Sequence, residues 1–401
     1  MTTTDLTLRR PDDGARPDHD PFRADALRDR DDRPDALRDR DDRPDPRLHR
    51  GHQHAGPAIA RRPRPDAAAW RSLGLHVLIP LFLATGMALA YLGAFGHPTP
   101  HHVPVAVVGS SAQSEVFAQQ LNDADPDALD VRTVADADSA RRLITDREIS
   151  GAFEVGATDA TLYVSSAASD TTASVLQKVF GPVAYRLGLP LKVDDVVPSG
   201  EGDPTGQGLF FLLVALSVGA YASAAAISAA SARLGLGSRL LAGVVTAAVI
   251  AAIGTVVVGP VYGIVTTGLW GVALVSWLYV TAVVVIGIGL HPLLRHWTTP
   301  ALTMLFVMLN FTSSGGVFSS QLVPPFFGAL GAFWNGSAWL HATQSIVYFP
   351  GQGWGRAGLT LALWLAAGLA LAGLTHLWSV RRTRLANERV AVREDEEGIA
   401  A

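Results

Sequence analysis

Apolar residues in this chain gather into six long blocks separated by polar, proline-broken or mixed stretches. The first block, 73–95, runs 23 residues without a formal charge. At about 1.5 Å per helical residue, that is enough to cross roughly 30 Å of hydrocarbon. Four more blocks lie at about 208–230, 240–262, 267–290 and 300–318, and the last at about 357–379. They predict an α-helical polytopic membrane protein with about six transmembrane helices. The first block starts too late and runs too long for a cleaved signal, and no small-x-small site follows it, so it reads as a signal anchor. Pro80 predicts a kink within it, and Gly259-Pro260 ends or bends the third block.

The stretch between the first two blocks has a different rhythm. VPVAVV (103–108), LDVRTV (129–134) and ISGAFEV (149–155) are strand candidates rich in β-branched residues, and ATLYVSS (160–166) is placed to pair with the third as a hairpin. Residues 114–121, 139–146 and 172–187 read as helices. The last carries Val175, Leu176, Val179, Val183 and Leu187 at helical spacing. The expected layout is therefore a helix at 70–96, an α/β domain at 97–206, a five-helix membrane domain at 207–380 and a tail at 381–401.

Charge sharpens this picture. No Asp or Glu occurs between Asp203 and Glu388, a composition that suits lipid, where a carboxylate costs several kcal/mol. Arg61, Arg62, Arg64 and Arg71 precede the first block. Arg233 and Arg239 lie between the second and third, Arg295 between the fourth and fifth, and Arg381, Arg382 and Arg384 after the sixth. With six spans all of these fall on one side, which predicts cytoplasmic N- and C-termini and an extracytoplasmic α/β domain. Arg356 alone marks the opposite short loops. The α/β segment holds 16 acids and 7 bases, and a domain of that length translocates regardless of its charge. The 30 arginines against two lysines, with abundant Ala and Gly, suggest a GC-rich bacterial source, hence a multi-pass protein of the bacterial plasma membrane.

Residues 1–69 carry 15 Arg and 15 Asp and no apolar period, and ALRDRDDRPD at 26–35 repeats at 36–45. Such an arm cannot bury enough apolar surface to offset its ordering entropy and is expected to be a disordered cytoplasmic segment. Its His49, His52 and His54 fit a solvated tail better than a metal site. Likewise His97, His101 and His102 fit a linker better than a metal or pH-sensing site.

Little in the chain points to catalysis. It lacks cysteine, which excludes disulfides and thiolate chemistry. Lys178 and Lys192 are each followed by Val, so there is no P-loop, and HExxH and GxSxG are absent. No cofactor or bound metal, and no nucleic-acid partner, is expected; the partners expected are lipid and other protein subunits. The spans contain no carboxylate to carry a coupling proton. His76, His291 and His376 lie near span ends, where snorkelling accounts for them. The most informative segment is 310–350. Its Ser313-Ser314-Gly315-Gly316 break is followed by Pro324-Pro325-Phe326-Phe327 and an uncharged aromatic run. It is apolar but too broken to span. It suits a re-entrant or interfacial element near 319–350 with Trp334, Trp339 and Tyr348 at headgroup depth, the alternative being an outer loop packed on the bundle.

The order of one span, an outer α/β domain and five further spans resembles the permease subunits of type-2 ABC exporters. The closest resemblance within that group is to the phage-infection-protein (YhgE/Pip) branch. The likeness rests on the Ser/Gly break with its Leu-Pro and Phe-Phe element before the final span, and more weakly on VPVAVVGSS and ISGAFEV. It covers roughly 72–380. It implies export or membrane remodelling by a homo- or heterodimer working with a separate ABC ATPase. On that reading the chain exports a hydrophobic or amphipathic compound. Asn310, Ser313 and Ser314 would line the path, Gly315 and Gly316 would form a flexible break, and Arg233 and Arg239 would face the ATPase. The rival reading is a non-transporting membrane receptor or scaffold serving the envelope, secretion or a phage.

Overall fold

A computed structural model describes residues 67–230 and 234–400 of the chain; the charged arm with its repeat and histidines, and Arg233, lie outside the described residues. Helix α1 (Ala67–Phe95) runs through Pro80 and leads to strand β1 (Val103–Val108). There follow α2 (Ala112–Ala124), β2 (Leu129–Val134), α3 (Ala137–Thr145), β3 (Gly151–Val155), β4 (Ala160–Val164), α4 (Ser166–Arg186) and β5 (Leu191–Asp195). The five strands form one sheet in the order β2-β1-β3-β4-β5. Three pairs are parallel, and β3–β4 is the antiparallel hairpin that the sequence predicts, with Phe153 opposite Leu162. The strand that the pattern does not reveal is β5. LKVDD alternates weakly and carries two acids and a lysine, because β5 lies at a sheet edge where few of its side chains are buried.

Pleat alternation builds the α/β core. Val103, Val105 and Val107 point to one face and join Phe153, Leu162, Leu176 and Phe180, while Ala106 points to the other, with Ala140, Ile144 and Tyr163. The rings of Phe153 and Phe180 stack with centroids 4.8 Å apart. On the opposite edge, Asn122 on α2 takes over one free ladder position of β2. Its Nδ2 donates to the Val131 carbonyl at 2.9 Å, and its Oδ1 accepts from the Val131 amide at 2.8 Å.

The remaining chain is helical: α5 (Gly208–Ala229), α6 (Leu236–Val256) with a π-helical turn at Val257–Val261, and α7 (Leu269–Leu294). After a short turn come α8 (Thr298–Thr303), a π-helical stretch (Met304–Leu309) and α9 (Asn310–Ser313). Then follow α10 (Pro325–Gly331), α11 (Asn335–Val347) and the long α12 (Gly355–Ala400). Five helical runs among the described residues are long and apolar enough to cross a membrane: Val77–Phe95, Gly208–Ala229, Leu236–Val261, Leu269–Ser313 and Gly355–Arg389. The protein is thus built as a helical membrane protein with a small α/β domain following its first helix.

The expected blocks at 267–290 and 300–318 fall within one helical run, yet that run does not continue straight. Arg295 has φ +51°, which ends α7. Beyond it Asn310 donates to the hydroxyl of Tyr279 at 2.8 Å. In a straight helix those residues would stand roughly 46 Å apart. A side chain added at Gly287 would likewise touch Leu302. The chain therefore doubles back at Arg295, and the second leg lies against the first. Pro260 sits in the π turn that closes the third run, where the Gly259-Pro260 pair predicts an end or a bend.

Candidate functional site

Two cavities open where the α/β domain meets the helices, of about 260 and 440 Å³. They share Arg147, Gly331, Ala332, Ser337 and His341 along their walls, so they adjoin as two parts of one recess. The smaller part has several hydroxyls along its wall, among them Ser165, Ser169, Thr172, Ser313, Ser314 and Ser319, beside apolar surface. The larger adds Trp334, Trp354 and Arg356.

The elements that hold this recess together are polar clasps between distant segments. The Thr171 hydroxyl donates to the Val317 carbonyl at 2.9 Å, Thr172 to Ser319 Oγ at 2.9 Å, and the His101 amide to the Gln321 carbonyl at 2.8 Å. Leu322, fully buried, completes the apolar core of the α/β domain from outside it. Gln352 Nε2 donates to Asp146 Oδ1 at 2.6 Å. Segment 315–323 thus docks onto the α/β domain, while α11 packs into the helical core. Trp339 is fully buried there, its Nε1 donating to Ser276 Oγ at 3.1 Å, so it packs inside the protein. Pro324 and Pro325 start α10, as prolines at a first helical turn commonly do, and Phe326 is exposed with Phe327 beside it.

Arg147 is the central side chain of the recess. Its backbone sits at φ +59°, immediately after α3. The Arg147 amide donates to the Ile144 carbonyl at 3.0 Å and the Glu148 amide to the Leu143 carbonyl at 2.9 Å. This is the Schellman arrangement, whose left-handed position normally belongs to glycine. A residue with a Cβ costs about 1 kcal/mol more there. The guanidinium reaches across to the helical part, Nη2 donating to Gln344 Oε1 at 2.6 Å and Nη1 lying 3.5 Å from Ser345 Oγ, with Cζ 4.9 Å from the Phe349 ring centre. Burial pushes its pKa down to about 10, which leaves it charged at neutral pH. Among the described residues no carboxylate pairs with Arg147 or Arg356. The His341 ring is accessible from the recess but surrounded by protein. Desolvation first, then the charges of Arg147 and Arg356, push its pKa down to about 4, so it is neutral at pH 7.

The residues expected from sequence divide in two. Ser313, Ser314 and Gly315 line the recess. Gly315 takes φ +81°, the turn that ends α9. Asn310 and Gly316 do not line it. Asn310 is fully buried, donating to Tyr279, which in turn is 2.6 Å from Ser217 Oγ. Gly316 lies against the ring of Phe210, where a Cβ would clash, so close packing is its role. Arg239 sits in the first turn of α6, 9% exposed. Three residues of the recess, Arg147, His341 and Gln344, are not among the sequence candidates. His341 and Gln344 are polar residues of the uncharged run 310–350, but they are two among many there and do not stand out. Arg147 gave no signal, because a left-handed φ is invisible in sequence. No protein-family model matches the chain, and no curated protein or solved structure matches it either.

Proposed function

We propose that this chain is a membrane permease that moves a hydrophobic or amphipathic compound outward, energised by a separate ABC ATPase, as its resemblance to the phage-infection-protein branch of type-2 ABC exporters implies. The observation that carries this reading is the hydroxyl-lined recess at the junction of helices and α/β domain, with the Ser313–Gly315 break forming part of its wall. Such a recess offers a hydrated exit chamber at one end of an apolar bundle. Broken and π-helical geometry at Val257–Val261 and Met304–Leu309 supplies places where the helices can yield.

The topology belongs to the proposal. The doubling back at Arg295 makes six crossing segments of the five runs. With the arginine-rich turns read as cytoplasmic, six crossings would leave both termini inside and the α/β domain outside the plasma membrane of a bacterium. Substrate would pass between two protomers. The test is to delete the gene and measure efflux of amphipathic dyes, and to purify the tagged chain and look for an ATPase. Reduced efflux with a co-purifying ATPase is the expected result. Unchanged efflux with no ATPase sinks the export reading. It favours instead a fixed receptor or scaffold, to which an α/β domain clasped to the helices at several points is also suited.

A further inference from the structure

The recess has a charge pattern that its hydroxyl lining does not explain. A guanidinium carries five N–H donors. Two protein acceptors, Gln344 and Ser345, lie near that of Arg147, which lines both parts of the recess. Arg356 lines the larger part, and the charges of both arginines act on His341. Asp146, the carboxylate on the same wall, is engaged by Gln352. The second observation is conformational. An arginine occupies the left-handed position of the Schellman turn, where glycine would be favoured. Strain of this kind persists where the surroundings over-determine it, and it clusters at ligand sites. The third is apolar surface: the buried Trp334 and the exposed Trp354 line the larger part with Arg356 and supply what is here called its rim.

We propose that this recess binds a phosphate-type oxyanion, held in a fork by Arg147 and Arg356 with serine hydroxyls completing its coordination, and that the tryptophan rim receives the apolar end of a phosphate-bearing amphiphile. Planar guanidinium groups suit this, since they bind phosphate through paired N–H donors. The inference deepens the permease reading by naming the substrate's head group, but binding is measured without transport, so failed export and failed binding are distinguishable.

The experiment uses the full chain in phosphatidylcholine nanodiscs, titrated with hexyl phosphate, hexyltrimethylammonium and inorganic phosphate. Binding is followed by calorimetry and tryptophan fluorescence, with empty nanodiscs as the blank. Hexyl phosphate is expected to bind at least about tenfold tighter than hexyltrimethylammonium. Inorganic phosphate binding more weakly identifies an amphiphile; inorganic phosphate binding equally well identifies a free anion in the same fork, and discards only the rim. Arg147→Gly keeps the backbone in a conformation that glycine prefers and is expected to lose binding about tenfold or more. Arg356→Gln, at an exposed side chain, is expected to weaken it severalfold. Equal binding of the anionic and cationic probes, or wild-type affinity in both variants, overturns the proposal.

Discussion

Arg147 Nη2 and Gln344 Oε1 lie 2.6 Å apart although 197 residues separate them, and this contact joins the end of a helix in the α/β domain to the last turn of α11. Gln344 uses its other end on the same domain, Nε2 standing 3.4 and 3.3 Å from the Ala167 and Ala168 carbonyls. One side chain therefore fastens two separate turns of the α/β domain. Gln344→Leu removes the acceptor of a charged donor and leaves Arg147 without its best partner, a change worth about 1.5–3 kcal/mol. The expected outcome is a lower melting temperature in detergent and faster amide exchange at 143–150 and 165–170. Exchange unchanged in both stretches contradicts the clasp.

The close approach of α9 and α11 yields a second prediction. A Cβ at Gly336 would meet the side-chain amide of Asn310. Gly336→Ala is expected to destabilise the protein by roughly 1–3 kcal/mol through overpacking. Truncating the obstruction should restore part of it: Gly336→Ala combined with Asn310→Ala should cost less than the sum of the two single changes. Purely additive melting shifts in this double-mutant cycle would show that the two positions do not touch.

Asp203 stands at the entrance to α5, its Oδ1 accepting from the Gln207 amide at 3.1 Å and both carboxylate oxygens from the Gly208 amide at 3.0 and 2.9 Å. It is the last acid before the acid-free stretch that ends at Glu388, and it serves the free amides and the positive end of a long apolar helix. Asp203→Ala is expected to cost about 1–2 kcal/mol, read as a fall in thermal midpoint, with Asp203→Asn intermediate.

Acid should loosen the α/β domain by a route that can be signed. The Asp136 carboxyl, capping α3 by accepting from the Ser139 amide at 2.7 Å, is held below its ordinary pKa by that backbone hydrogen bond. Asp159 is lowered chiefly by its hydrogen bond from Lys192, at 2.7 Å. Groups depressed on folding contribute stability that is complete above the ordinary carboxylate range, near about 3.9, and is lost as pH falls through the folded value. Amide exchange in α3 and at the β4–β5 edge should be flat from pH 8 to 5 after correction for intrinsic rates, and should rise below about pH 4. Asp136→Asn should remove the α3 part of that rise.

The doubling back at Arg295 can be tested in a chain without native cysteine. A pair of cysteines introduced as Gly287→Cys and Leu302→Cys should cross-link on mild oxidation, because Leu302 lies against Gly287. No cross-link, with both thiols reactive to maleimide, would point to a straight run.

Much of this architecture is written in the chain. The apolar blocks were legible because lipid demands near-uniform hydrophobicity over some 20 residues, and β1 to β4 because alternation or β-branched runs mark strands buried on a sheet. Leu322 and Trp339 show what was not legible. Both lie in an aromatic and aliphatic stretch whose composition fits either a re-entrant or interfacial element or an outer loop packed on the bundle. One is fully buried in the core of the α/β domain and the other fully buried among the helices. Which core claims an apolar residue depends on long-range packing that local sequence does not carry. The same holds for the recess. Ser313–Gly315 stood out as a helix break, whereas Arg147 became meaningful only when the handedness of its backbone was visible.

Leu322 also sets an order of events in the making of the protein. Its partner in the same core, Val103, leaves the ribosome 219 residues earlier. At a synthesis rate of about 5–20 residues per second, the α/β domain spends on the order of ten seconds or more with a gap in its interior. The core of that domain is therefore complete only once the segment after α9 has been made.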